Sequence, residues 1–194
     1  MSEQMEAMGV YENYRDASFD NFDKEFNQQL EVARDIYKLA KAGKWIILSG
    51  ADLGTGKTHL ATAAMYLSFN TPYIVKLTNG EKHKQKKVPS DFLFVDICSF
   101  GNDLAMAGIS LPDRIDELRY KKCLLLDELG REPEKSKTHI EAIFGYFYNR
   151  KRQIIATTPL SSEEFTEFYG GRTIDRIKER GKFIRLKGRS YRQK

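Results

Sequence analysis

The chain has 194 residues, 41% of them hydrophobic and 30% charged, with a net charge of +5. That length and balance fit one domain able to bury a substantial core, and they exclude a low-complexity or fibrous chain. No apolar run reaches the ~20 residues of a membrane span, and Cys98 and Cys123 belong to no C-x-x-C or Cys/His cluster, which predicts a cytoplasmic protein with reduced thiols, no membrane association and no zinc.

Residues 1–16 are polar and acidic and are expected to be flexible, with residues 17–194 forming the domain. Phe19, Phe22 and Phe26 follow among acids. Over residues 27–42, Leu30, Ala33, Ile36, Tyr37 and Ala40 recur at helical spacing and predict one buried face. Trp45–Leu48 reads as a buried strand, and a helix is predicted from Lys57 to about Ser68. Residues 71–90 stand apart. Pro72–Leu77 reads as a strand, Asn79-Gly80 as a tight turn, and Glu81–Lys87 as a basic run, together an inserted hairpin or basic loop. Phe92–Ile97 is the next strand, followed by helices around Ser99–Met106 and Pro112–Arg119. Then come strand Cys123–Leu126, helix 136–150, strand Gln153–Thr157, helices Ser162–Phe168 and Thr173–Arg180, and strand Phe183–Leu186. Strands alternating with helices imply a parallel sheet covered by helices.

Two of these junctions carry chemistry. Gly50-Ala51-Asp52-Leu53-Gly54-Thr55-Gly56-Lys57-Thr58-His59 lies between the first strand and its helix, the layout of a P-loop. Ala51 takes the usual first glycine's place. Gly54 and Gly56 permit backbone angles that turn amide N–H groups toward phosphate oxygens, and the helix N-terminus adds positive potential. Gly54, Thr55, Gly56, Lys57, Thr58 and His59 are therefore the predicted nucleotide-binding stretch. Lys57 supplies charge to the β/γ-phosphates, and the Thr58 hydroxyl is a candidate Mg²⁺ ligand. The second junction is Leu124-Leu125-Leu126-Asp127-Glu128, a buried-strand pattern ending in two acids about seventy residues beyond the loop. Acids at the C-terminal end of a parallel strand face the ligand crevice. Asp127 is the candidate Walker-B metal residue, and Glu128 the candidate general base for an attacking water.

Charge is divided along the chain. Residues 1–25 carry seven acids against Arg15 and Lys24, and residues 171–194 carry ten Lys/Arg against Asp175 and Glu179. A basic end beside a phosphate site suits a polyanionic partner such as nucleic acid, although a basic face that only solvates the protein has the same composition.

Five motifs taken in order resemble the DnaC/DnaI/IstB group of AAA+ ATPases, over about residues 17–193. Ser18-Phe19-Asp20-Asn21-Phe22 is similar to the group's aromatic lead-in, Gly54–Ala61 to its Walker A, and Leu125–Gly130 to its Walker B. Tyr169–Ile177 resembles its arginine-finger box, and Leu186–Arg192 its C-terminal Gly-x-Ser-Tyr-Arg signature. The resemblance implies an α/β P-loop NTPase (AAA+/RecA-like) fold, a parallel sheet with helices on both faces and little or no C-terminal lid. It implies Arg172 as an arginine finger acting on a neighbouring subunit, and Arg192 as a sensor-2-like arginine. Three departures accompany it. The slot for a polar sensor-1 residue holds Pro159, which has neither a side-chain donor nor an N–H, leaving Thr157 or Thr158 to substitute or hydrolysis slow. The N-terminal helicase-binding domain of the loaders has no room here. The basic segment 81–87 has no counterpart in the group's pattern.

The resemblance implies an ATP- and Mg²⁺-dependent ATPase of the replicative helicase-loader type, working as a homo-oligomer when ATP-bound, on single-stranded DNA and with a replicative helicase. A transposition helper with a transposase as partner is the alternative within the group. A nucleoside or nucleotide kinase and a non-hydrolysing interaction module are alternatives of other classes.

Overall fold

The computed structural model describes residues 2–23, 29–76, 81–106 and 118–191. Five strands form one sheet, β1 (Trp45–Ser49), β4 (Phe92–Asp96), β5 (Cys123–Asp127), β6 (Gln153–Thr158) and β7 (Gly181–Arg185). Their order is β4-β5-β6-β1-β7 and every pairing is parallel. Such a sheet must be covered on both faces, and the residues of β1 show how. Ile46 and Leu48 point into one apolar cluster, and Trp45 and Ile47 into another on the opposite face. The first cluster is closed by α1 (Ser2–Ala7), α2 (Leu30–Lys41) and α3 (Lys57–Asn70). The second is closed by α4 (Ile97–Met106), α5 (Lys137–Asn149), α6 (Ser162–Tyr169) and α7 (Gly171–Arg180). The α/β, helix-covered parallel sheet expected from the alternation is borne out.

Local signals account for several boundaries. Helix α6 begins at Ser161, whose hydroxyl accepts from Glu164 N (3.2 Å) while the Glu164 carboxylate accepts from Ser161 N (2.7 Å), a reciprocal capping box. Strands β2 (Tyr73–Lys76) and β3 (Lys82–Gln85) pair antiparallel as a separate ribbon.

Three expectations differ from the structure. Residues 2–16 are not a loose lead: Met5, Met8 and Val10 are buried, and Phe94 N donates to the Met8 carbonyl at 2.8 Å. The apolar residues hidden among those acids reach the flank of β4, and their burial offsets the cost of ordering the segment. On α2, Ala33, Ile36 and Ala40 are buried, but Leu30 and Tyr37 are exposed. The stripe toward the sheet is narrower than the spacing predicted, and Tyr37 packs edge-on against Phe19 instead. Lys87, grouped with the basic run, folds back so that its ammonium donates to the Ser68 carbonyl and lies 5.7 Å from the Phe92 ring. The helix predicted at Pro112–Arg119 falls largely outside the described residues, as does Phe26.

Candidate nucleotide-binding site

The sheet order puts β6 between β1 and β5. The loop after β1 and the acids ending β5 therefore face each other across the end of β6, and an open cleft of ≈ 540 Å³ lies there. It is walled by Leu53 to His59 on one side and by Asp127, Glu128 and Arg131 on the other, with Thr157, Thr158 and Pro159 at its floor. Tyr14, Asn21 and Phe22 reach over from the N-terminal segment and Tyr191 from the C-terminal one.

The P-loop is built around its glycines. Gly54 and Gly56 have φ of 72° and 89°, a region that side chains with a Cβ occupy at a cost. A Cβ on Gly56 would also sit 2.6 Å from the Phe22 ring. Lys57 turns back into its own loop, donating to the carbonyls of Gly50 (2.7 Å) and Asp52 (2.8 Å). Burial pulls its ammonium below the usual lysine range, against the opposing charges of Asp52, Glu128 and Asp127. The ammonium is thus held by neutral carbonyl oxygens of its own loop, contacts a phosphate can replace with its own oxygens.

Across the cleft, Thr58 Oγ1 donates to Asp127 Oδ1 at 3.1 Å. Thr157 Oγ1 donates to the same oxygen at 2.5 Å and accepts from Glu128 N at 2.9 Å. One hydroxyl on β6 therefore fixes the Asp127 carboxylate at the end of β5 and the backbone of Glu128 just after it. Burial raises the Asp127 carboxyl above its usual range, and the Thr157 and Thr58 hydroxyls partly oppose that. Two oxygens side by side, one on a nearly buried carboxylate, make a donor set that fits a hard divalent cation. Glu128 is in the left-handed region, φ 63°, which costs a non-glycine residue about 1–2 kcal/mol. That conformation turns its side chain out of the strand, where it is half exposed and meets Arg131 Nε at 3.6 Å.

The strained turn is held from behind. Gly130 N donates both to Glu132 Oε2 (2.8 Å) and to Tyr169 Oη (3.0 Å), and the Tyr169 hydroxyl in turn donates to Glu132 Oε1. Both side chains are buried. Burial and the adjacent Glu132 charge push the Tyr169 phenol well above its ordinary value. Tyr169 ends α6, so this network ties the glutamate turn to the Gly170-Gly171-Arg172 segment.

Of the predicted site residues, the structure brings together Gly54, Thr55, Gly56, Lys57, Thr58, His59, Asp127 and Glu128. His59 Nε2 lies 2.9 Å from the Ser18 carbonyl, and burial lowers its pKa. Arg172 is exposed at the start of α7 and does not line the cleft. Arg192 lies outside the described residues. Sequence reasoning left the sensor-1 role open between two threonines. Thr157 is the one that bonds the Asp127 carboxylate and the Glu128 N–H, while Thr158 donates to the Leu129 carbonyl. Pro159 does line the cleft. Tyr14 and Arg131 were missed, and only Arg131's position three residues after Glu128 could have suggested it. Tyr191 N donates to the Gly54 carbonyl at 2.8 Å, so the C-terminal signature is clamped on the P-loop.

A parallel sheet with a glycine-rich loop after β1 and paired acids after β5 defines a P-loop α/β fold. No family model matches the chain. Solved structures do. The crystal structure of the DnaC helicase loader aligns over 91% of this chain and 100% of its own, at 22% identity and a TM-score of 0.67. A putative primosome component from Streptococcus pyogenes serotype M3 aligns over 98% of both chains, at 17% identity and a TM-score of 0.70. The replication initiator DnaA bound to AMPPCP and single-stranded DNA aligns over 92% of this chain and 51% of its own, at 20% identity and a TM-score of 0.63. The chain therefore has the P-loop AAA+ fold that the DnaC helicase loader and DnaA share, and the likeness drawn from the motifs is borne out at the level of fold. Among the described residues no helix is long and apolar enough to cross a membrane.

Proposed function

We propose that this chain is an ATP-hydrolysing, DNA-associated protein of the replicative helicase-loader type. The observation that carries the reading is the Thr58–Asp127–Thr157–Glu128 hydrogen-bonded set opposite Lys57. The P-loop amides and Lys57 would bind the β- and γ-phosphates of ATP. Thr58 and Asp127 would hold Mg²⁺, which when bound neutralises charge on those phosphates. Glu128, turned into the cleft mouth by its left-handed backbone, accepts a proton from the attacking water. Arg131, with its Nε 3.6 Å from that carboxylate, must give it up to the water for that task. The similar DnaA structure was solved with an ATP analogue and single-stranded DNA, which supports both ligands for this chain.

Arg172 is the group suited to reach a neighbouring copy's γ-phosphate, since it is exposed and away from its own cleft. A permanent, planar, forked charge suits that task. The working form proposed is an ATP-bound homo-oligomer that meets a replicative helicase, with single-stranded DNA as its polyanionic ligand.

Thin-layer analysis of γ-labelled ATP, incubated with the protein and Mg²⁺ with and without single-stranded DNA, tests the reading. Release of free phosphate is expected. Label appearing on a second nucleotide would make the protein a kinase, and label remaining on ATP would make it a non-hydrolysing module.

A further inference from the structure

The strand ends opposite the cleft carry an unassigned charge pattern. Four adjacent strands are each immediately preceded by a cation: Lys44 before β1, Lys122 before β5, Arg152 before β6 and Arg180 before β7. Two sequence-distant segments are stitched together there. Tyr146 Oη donates to the Arg119 carbonyl (3.0 Å), and the Arg152 guanidinium donates to the carbonyls of Arg119 and Lys121. Gln153 N donates to the Lys122 carbonyl at 3.0 Å. Guanidinium groups and rings alternate on this surface. Arg150, Arg152 and Arg119 lie 4.0, 5.6 and 5.9 Å from the Tyr146 ring centre, and Arg176 lies 5.5 Å from that of Tyr148. Tyr120, next to Arg119, is 80% exposed.

Part of this pattern is structural. Arg152 spends its donors on backbone carbonyls, Lys122 pairs with Asp91 at 3.0 Å, and Glu179 accepts from Tyr148. Arg150 and Lys151 are different. Both are exposed, Arg150 keeps its guanidinium over the Tyr146 ring, and neither makes an ion pair among the described residues. Lys151 also has φ 52°, a conformation for which glycine or asparagine is the less strained choice. Arg150 shares the Tyr146 ring with Arg119, and Arg152 binds the carbonyls on either side of exposed Tyr120, so the strained cationic turn and the open ring belong to one surface, which suits a ligand with both charge and flat faces.

We propose that this end of the sheet, centred on Tyr120, Arg150 and Lys151, binds single-stranded DNA. The inference rests on the DNA association proposed above and places it on a surface remote from the nucleotide cleft. Phosphates meet Arg150 and Lys151, and an unpaired base stacks on Tyr120. A duplex offers the same phosphates but keeps its base faces covered, so a ring as exposed as Tyr120 favours the single strand.

The test is fluorescence anisotropy of a labelled oligothymidylate and of a duplex of equal length, with the full chain across a salt series. An Arg150→Ser/Lys151→Ser variant should bind the single strand roughly tenfold more weakly. Its slope of log affinity against log salt should be shallower by about 1.4, at ~0.7 per lost single-strand contact. Tyr120→Ser should weaken the single strand about tenfold and leave the duplex unchanged. Both variants should keep the DNA-independent ATP hydrolysis of the wild type, which reports that they fold. Unchanged affinity and slope would overturn the proposal, as would equal weakening of duplex and single strand by Tyr120→Ser. A Lys84→Ser/Lys86→Ser variant separates the two readings. If it loses single-strand binding while the Arg150/Lys151 variant does not, the DNA association stands and this surface falls. If the wild type binds no single strand, both fall.

Discussion

The two ends of the central sheet are built from the same strands, on the order of 15 Å apart, and they are chemically opposite. Where β1, β5 and β6 end, the chain places glycines, threonines and the acids Asp127 and Glu128, held by short-range hydrogen bonds into a cleft. Where those strands begin, it places cations and tyrosines on an open surface. The role proposed for the first end would depend on position to a few tenths of an ångström, as phosphate chemistry does. The role proposed for the second end would depend on charge density and exposed rings, which tolerate displacement. Substitutions at the cleft should therefore alter nucleotide chemistry and leave intrinsic DNA affinity, and those at the basic end should do the reverse.

Lys57→Ala should break the cleft end most severely. It removes the charge inside the P-loop, and ATP affinity by calorimetry should fall roughly a hundredfold or more, the scale of losing a buried charge partner. Arg172→Ala should bind ATP nearly normally yet hydrolyse it about 10³-fold or more slowly, the scale of a finger acting on a neighbour. Mixing it with Lys57→Ala at concentrations where the wild type assembles should restore part of the activity, since one variant keeps its P-loop and the other donates the finger. No recovery from a demonstrably mixed assembly would return Arg172 to a solvated surface charge.

Tyr169→Phe sharpens the comparison from behind the cleft. It leaves buried Glu132 and Gly130 N short of a hydroxyl, so urea unfolding should show a loss of roughly 1–3 kcal/mol, with slower turnover because the Glu128 turn loosens. The smallest effect expected is a pH dependence. Burial raises the Asp127 pKa in the folded chain, so the folded chain keeps a proton that the unfolded chain gives up. The stability from this group is fully present at acid pH, and it is lost as pH rises from the ordinary carboxylate range through the raised value. Asp127→Asn should flatten that decline in thermal melts of the nucleotide-free protein, and an unchanged pH profile would show that Asp127 is not its source.

The cleft was legible in the sequence because each half is a contiguous motif flanked by an apolar strand, so the parallel topology alone brings Lys57 and Asp127 together. The Thr157 contact was only half legible. Alternation along β6 decides which threonine faces Asp127, and the strand's register beside β5 is a property of the folded sheet. The basic end was not legible, because residues 119–122 and 150–152 are about thirty positions apart and look like ordinary solvated charges until β5 and β6 align their starts. The N-terminal segment misled for a related reason. Three apolar residues among acids give no periodic signal, yet Met5, Met8 and Val10 find a surface that only the assembled β4 edge provides.

The central claim is that the cleft hydrolyses ATP with Glu128 as base, and it is tested most directly by one paired measurement on Glu128→Gln. ATP–Mg²⁺ binding and phosphate release are followed in the same samples as the wild type. The account predicts nearly unchanged binding with release slowed roughly 10²–10⁴-fold, the range of a lost general base. Phosphate release at the wild-type rate, with ATP bound equally well, would contradict it.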